Sequence, residues 1–272
     1  MTADVTRLYP GPQDTLPLKG LYLKLGLHHA ATESDILIYA NYIASLDGRI
    51  SLKHPVSGEF GVPPSIANKR DWRLYQELAA QSDIMITSAR YFRQMAKGVA
   101  QDLLPVGMEP EYADLKVWRK AQCLKPQPDI AIVSASLDIP LAAVDAVADR
   151  DIYVFTREQA DASKWDELTQ HGINVIAAGR NSVDGLLLRE RLVRLGFRSA
   201  YMIAGPEVHH TLIASCALDR LFITCRHMLM GGDDYHTIMA RDLARPAHAR
   251  LESLYFDMGV EPTQTYAQYL LS

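Results

Sequence analysis

The sequence is poor in cysteine. Cys123, Cys216 and Cys225 are its only three, an odd number with no C-x-x-C pair among them. That excludes a disulfide framework and a Cys-rich zinc site, and it suits a reducing compartment. No apolar run approaches the roughly 18–20 residues that span a bilayer. The opening stretch MTADVTRLYPGPQDTLPL has no apolar signal core and is broken by prolines at 10, 12 and 17. An excess of one charge is missing too. Lys+Arg number 28 and Asp+Glu 32, a formal net charge of −4, so nothing draws the chain as a whole to nucleic acid or an anionic membrane. Motifs of fixed spacing are also absent: G-x-G-x-x-G, G-x-x-x-x-G-K-[ST], G-x-S-x-G, H-E-x-x-H and the H-x-E with P-C-x-x-C pair of zinc deaminases. The pairs His28-His29 and His209-His210 make poor metal clusters, because adjacent side chains on a regular element point apart. The expectation is a cytoplasmic protein that acts on a small molecule, with no metal, nucleic-acid or membrane partner.

What is present reads as an ordinary globular protein of 272 residues, 48% hydrophobic and 22% charged. A chain this long hides roughly 70–75% of its unfolded surface and needs no covalent staples. No proline-rich linker separates compositionally different halves. The division expected is an irregular N-terminal arm over 1–34, with a short apolar element at Leu21–Leu27, and a single α/β domain over 35–272. Apolar runs predict strands at 36–47, 84–87, 130–133, 152–155, 174–177, 200–204 and 220–225, with one or two more after 226. Helices are expected between them. One runs to about residue 80, capped by Ser65 or Asp71, with Trp72, Tyr75, Leu78 and Ala79 toward the core. Others are expected around 110–121, over 157–171, from Ser182, and from Pro206 at its preferred first helical position. Residues 53–64 read as a loop, and 93–128 carry the weakest pattern. Strands alternating with helices of ten to fifteen residues predict a mostly parallel sheet with helices on both faces.

Open sheets of this kind bind ligands at the carboxyl ends of their strands. Asn41, Ser45 and Asp47 share one strand parity and would form a small polar wall suited to a pyrimidine or pterin ring; the plainer reading is an Asp47-Gly48 turn. Gly205-Pro206-Glu207 sets a close-approach glycine before a helix start, an arrangement that binds phosphate, although Glu207 partly opposes an anion. Hydroxyls stand after other strands, at Thr87-Ser88-Ala89, Ser134 and Ser136, and Thr156. Such groups also commonly cap a following helix. Arg157 is a cation suited to a ribose 2′-phosphate. Met230-Gly231-Gly232-Asp233 is a further loop after the last long strand, or simply a turn.

These segments carry a family resemblance. NYIASLDGRISL resembles the SLDG segment of the pyrimidine reductases of riboflavin biosynthesis. ANKRDWRLYQELAAQSDIMITSARYF is similar to that family's helix and following strand. PDIAIVSASLDIPL, YVFTREQA and AYMIAGPEVHHTLIASCALDRLFITCRHMLMGG resemble its later strand ends, in order, from about residue 7 to residue 232. The resemblance implies a dihydrofolate reductase-like fold, NADPH as cofactor, hydride transfer to C1′ of a ribosylamino-pyrimidine phosphate, and a homodimer. It implies that Asp47 acts near the nicotinamide, with Asn41, Ser45 and Arg70 toward the substrate. Thr87, Ser88, Ala89, Ser134, Ser136, Thr156, Arg157, Gly205, Pro206, Glu207 and Gly232 would meet the cofactor. The sequence also departs from the family pattern. Asn41 stands where the family has lysine, Ile203 where it has glutamate, and Ala79 near where it has arginine. Arg49, Lys69, Arg70 and Arg73 are the replacement cations on offer. A diverged reductase for another imine, carbonyl or pterin, or a non-catalytic nucleotide-binding homologue, is the alternative.

Overall fold

Most of the apolar runs become strands of one large sheet. The computed structural model describes residues 4–32, 34–98 and 106–272. Residues 1–3 and 33 of the expected arm and 99–105 of the weakly patterned stretch lie outside the described residues. The strands are β1 (Asp4–Tyr9), β2 (Asp14–Pro17), β3 (Leu37–Ser45), β4 (Ser51–Lys53), β5 (Phe60–Gly61), β6 (Ile84–Ser88), β7 (Asp129–Val133), β8 (Ile152–Thr156), β9 (Asn174–Ala177), β10 (Ser199–Met202), β11 (Arg220–Arg226), β12 (Tyr235–His236), β13 (Ala249–Asp257) and β14 (Gln264–Leu271). The helices are α1 (Lys69–Ala80), α2 (Ala89–Ala96), α3 (Ala113–Ala121), α4 (Leu141–Asp145), α5 (Ala162–Gln170), α6 (Gly185–Arg194) and α7 (Pro206–Ala214).

Eleven strands form the main sheet in the order β2-β1-β13-β14-β11-β3-β10-β6-β7-β8-β9. From β11 to β9 every pairing is parallel. From β11 back to β2 every pairing is antiparallel. Helices cover both faces of this mostly parallel sheet, as the alternating pattern predicts. On one face Ile38, Ala40, Ile84 and Ile86 pack against Leu188 and Leu192 of α6 and Leu212 of α7. On the other, Tyr39, Met85, Tyr201 and Phe222 meet Leu74 and Leu78 of α1 and Leu115 of α3. Beside them Ile130, Ile132 and Val154 meet Phe92 of α2, Val144 of α4 and Leu168 of α5. Each fully buried side chain of this size contributes about 1.5–3 kcal/mol. The contact of α6 with α7 is close: a Cβ on Gly185 would lie 2.8 Å from the Thr211 carbonyl oxygen and 3.0 Å from Ser215 Cβ.

Several expectations change. Residues 4–17, read as irregular, form β1 and β2 and add to the sheet through β13. Only Val5 of β1 is buried, so its strand signal is weak. Residues 53–64 are not wholly loop, because β4, β5 and β12 form a separate three-stranded sheet. The cap of α1 is Asn68, not Ser65 or Asp71; its side chain accepts from the backbone N–H groups of Arg70 and Asp71. Asp161 and Asp184 likewise cap α5 and α6, which start later than expected. The five-residue α4 has no counterpart in the sequence reading.

Candidate functional site

The carboxyl ends of β3, β10, β6 and β7 open into one cleft of about 2050 Å³. A single drug-sized ligand occupies roughly 300–1,000 Å³, so there is room for two reactants. The strand ends converge because parallel neighbours finish on the same side, with Met202 level with Ala40 and Ile86, and Ser88 level with Val133. Two helices start at this rim, α2 after Ser88 and α7 after Gly205, and neither has a side-chain cap bond. Their first N–H groups and positive dipole ends are therefore available to an anion. Space is open where a Cβ on Gly205 would stand. Arg90 and Arg93 of α2 line the same end. The small sheet forms another wall, where Phe60 and His236 stack at 3.9 Å between centroids.

The opposite end has an aromatic and polar lining from β3 and α1. Trp72 and Tyr75 stack at 5.0 Å with 8° between their planes. Both are half-buried, packed against the core as expected and lining the cleft with their outer faces. Asn41 accepts a 2.6 Å hydrogen bond from the Tyr201 hydroxyl through Oδ1. That fixes the amide and leaves its NH2 as a donor to the cleft. Burial keeps the Tyr201 hydroxyl protonated, well above the usual tyrosine range.

Asp71 lies among these groups. It is 7% exposed and still lines the cleft. Its Oδ1 makes no hydrogen bond. Burial raises its pKa from the ordinary carboxylate range to about 6, against the opposing pull of the Thr224 hydroxyl and the Arg226 charge. Nearby, Asp257 has the reverse environment. It accepts from Arg70 Nε at 2.8 Å, Tyr266 OH at 2.7 Å, Gln264 Nε2 at 2.9 Å and the Gly259 N–H at 2.8 Å. Burial opposes its ionisation, but those donors outweigh it and hold the carboxyl below the usual range. Asp71 carries no sequence motif. Its only signal is a carboxylate at the third position of a helix whose neighbours turn out to be buried.

Of the residues expected at the site, the cleft brings together Asn41, Thr87, Ser88, Ala89, Ser134, Ser136, Gly205, Pro206 and Glu207. It does not bring in Asp47, Ser45, Arg70, Thr156, Arg157 or Gly232. Asp47 is used to tie two loops. It accepts from Ser45 Oγ at 2.5 Å, Arg49 Nε at 2.8 Å and the Gly231 N–H at 3.0 Å. The Ser45 hydroxyl and the Gly231 N–H do most to hold its carboxyl far below the usual range. Ser45 is consumed by the same tie, and Gly232 accepts from Arg49. Arg70 turns to Asp257 on β13. Thr156 is fully buried inside β8, and Arg157 follows it, one strand beyond the four whose ends form the cleft. Glu207 is paired with Arg241, which offsets its charge at the start of α7. Among the replacement cations Lys69 alone lines the cleft, 3.9 Å from Glu111. Arg49 is bound to Asp47, and Arg73 to Glu77 and Asp114.

Among the described residues, no group of three or more His, Cys, Asp or Glu side chains could hold a metal ion. No helix among them is long and apolar enough to cross a membrane.

The sequence model of the RibD C-terminal domain matches residues 37–255. Among solved structures, the chain is similar to a pyrimidine reductase-like protein from Corynebacterium diphtheriae, with a TM-score of 0.69 and 17% identity over 94% of this chain and 99% of that one. It is similar to RibD from Acinetobacter baumannii, with a TM-score of 0.59 and 15% identity over 88% of this chain and 58% of that one. It is also similar to the riboflavin biosynthesis reductase Rib7 from Saccharomyces cerevisiae, with a TM-score of 0.57 and 14% identity over 93% of this chain and 99% of that one. No curated protein sequence matches it. At such identities the likeness is one of fold.

Proposed function

The chain belongs to the RibD C-terminal domain family, a reductase domain, and from that premise we propose that it is an NADPH-dependent reductase of the pyrimidine reductase type. Its substrate in this reading is a ribosylamino-pyrimidine phosphate such as 5-amino-6-(5-phosphoribosylamino)uracil. The observation that carries the reading is the two-ended cleft, with uncapped helix starts and cations at one end and a polar, aromatic lining at the other.

The residues present fit the cofactor. The open backbone at Gly205 and the first N–H groups of α7 suit a pyrophosphate. Ser88, Ala89 and the start of α2 would hold the neighbouring part of the dinucleotide. Arg90 and Arg93 supply the charge for a ribose phosphate in place of Arg157. Bound NADPH supplies a hydride. The protein's share of the work is to align the two reactants and keep water out. Trp72 and Tyr75 give the pyrimidine an aromatic surface, and the Asn41 amide donates to one of its carbonyl oxygens.

One observation favours a second reading, a diverged reductase for a less anionic substrate. At the α1 end the cleft is lined by Glu109 and Glu111, with Lys69 as their only cationic neighbour in the lining among the described residues, a poor setting for a substrate phosphate. Quenching of Trp72 fluorescence by NADPH tests the cofactor, and loss of NADPH absorbance with the ribosylamino-pyrimidine phosphate tests the substrate. Quenching without oxidation favours the second reading, and neither result supports a reductase if both are absent. The same reading includes a cytoplasmic homodimer, checked by the mass in solution from light scattering and by fractionation of cells that produce the protein.

A further inference from the structure

Asp71 is poorly explained as a structural residue. A carboxylate at the third position of a helix ordinarily bonds back to the capping residue's N–H, closing a capping box. Here the cap is complete without it: Asn68 Oδ1 accepts from the N–H groups of Arg70 at 3.1 Å and Asp71 at 3.0 Å. The obvious ionic partner does not pair with it. Arg226 donates to the carbonyl oxygens of Pro262 at 2.6 Å and Glu261 at 3.3 Å, and to Gln264 Oε1 at 3.3 Å, and it forms no ion pair with Asp71. A buried carboxyl with one oxygen unbonded is costly unless it is neutral or a ligand meets it.

We infer that Asp71 holds the proton of the reduction, as a neutral carboxylic acid in the cleft wall. This rests on the reductase reading above. The groups facing it agree with a neutral state. From α1 itself comes Tyr75; from the other elements come Tyr22, Tyr201 of β10, Tyr266 of β14, and Thr224 and Arg226 of β11. The tyrosines are held protonated by burial, so the one charge among these groups is Arg226, whose Nη1 and Nη2 bond elsewhere and whose Nε makes no hydrogen bond to Asp71 or any other group. The adjacent Asp257 is saturated with donors and stays ionised. Two carboxyl groups driven apart by their surroundings mark which one carries a proton.

In the step proposed, C1′ of the substrate gains a C–H bond from the hydride that NADPH would supply when bound. The C1′–O4′ bond breaks, its electron pair stays on O4′, and O4′ takes the proton of Asp71. The resulting carboxylate regains a proton from solvent after product leaves. The sum is substrate, NADPH and one proton giving the ribitylamino product and NADP⁺.

Two measurements test this. The first is a carbon-13 NMR titration of protein labelled at the aspartate carboxyl carbon, with the Asp71 signal assigned by its loss in Asp71→Asn or, if that variant does not fold, in Asp71→Glu. A midpoint near pH 6 is expected. A midpoint in the ordinary carboxylate range, near 4, overturns the inference whatever the activity. The second is kcat against pH with 5-amino-6-(5-phosphoribosylamino)uracil. The wild type should lose activity as pH rises past about 6. Asp71→Asn should lose on the order of 10²-fold or more in kcat, keep NADPH quenching, and show a flat profile. An Asp71→Asn protein with the wild-type rate and profile overturns the inference and leaves the reductase reading intact. Failure of wild-type protein to quench with NADPH sinks the reductase reading instead, and with it the catalytic step, while the NMR arm still decides whether Asp71 holds a proton.

Discussion

Replacing Asp71 by asparagine should stabilise the protein at alkaline pH and not at acid pH. The folded-state pKa is raised from 3.8 to about 6. A shift of about two pH units, at about 1.36 kcal/mol per unit, is worth about 3 kcal/mol. The sign follows from linkage. A carboxyl whose folded pKa lies above its unfolded value is bound more tightly to its proton in the native state. Its favourable contribution is fully present below about pH 4 and is lost as pH rises through about 6. Asparagine is neutral throughout and escapes that loss. At pH 8 the Asp71→Asn protein should therefore exceed the wild type by about 1–3 kcal/mol, the lower figure allowing for an imperfect amide fit to the Thr224 hydroxyl. At pH 4 it should match the wild type or fall slightly below it. Urea unfolding followed by circular dichroism at several pH values measures the difference, and taking it variant against wild type cancels every other titrating group. A difference that is the same at pH 4 and pH 8 would refute the claim that Asp71 is buried against its own charge.

Other substitutions probe the surrounding geometry. Tyr201→Phe removes the hydroxyl that fixes Asn41; the cost should be about 0.5–1.5 kcal/mol in denaturant unfolding, with KM for the pyrimidine rising more than kcat falls. Gly185→Ala forces a methyl against the Thr211 carbonyl oxygen and should destabilise by about 1–3 kcal/mol, seen as a lower Tm with the cofactor site intact. Asp47→Ala unties the 228–233 loop, so limited proteolysis there should accelerate. NADPH oxidation should fall less than about tenfold, a barrier change of about 1.4 kcal/mol, because Asp47 does not line the cleft. A much larger loss would restore a direct role for that carboxylate.

The parallel half of the sheet was legible because central strands covered on both faces read as nearly continuous apolar runs, as in LIYANYIAS of β3 and DIAIV of β7. The antiparallel half was not. In β1 a single buried valine among half-buried and exposed residues looks like loop until its partner β13 is known. At the site, topology and the family resemblance pointed to residues at strand ends, and nine of those proposed do line the cleft. What topology could not supply was side-chain direction. Asp47 and Asp71 are both aspartates near a strand end or a helix start. Ser45, Arg49 and the 230 loop claim the first, and burial without an ion-pair partner sets the second apart. Arg70 and Arg157 were equally plausible cations on paper. One is drawn to Asp257, and the other sits a strand too far along.

The placement of β14 between β11 and β13 sets an order of assembly on the ribosome. The parallel strands from β9 to β11 can pair as they emerge. Residues 4–17, made before the strands they depend on, have to wait for β13 and β14, because β1 joins the sheet only through β13, and β13 only through β14. Until residues 249–271 leave the exit tunnel, the nascent chain carries an open edge on β11 and a stranded pair of N-terminal segments. A holdase that masks strand edges should therefore engage this chain late in synthesis, and let go when β14 slots in.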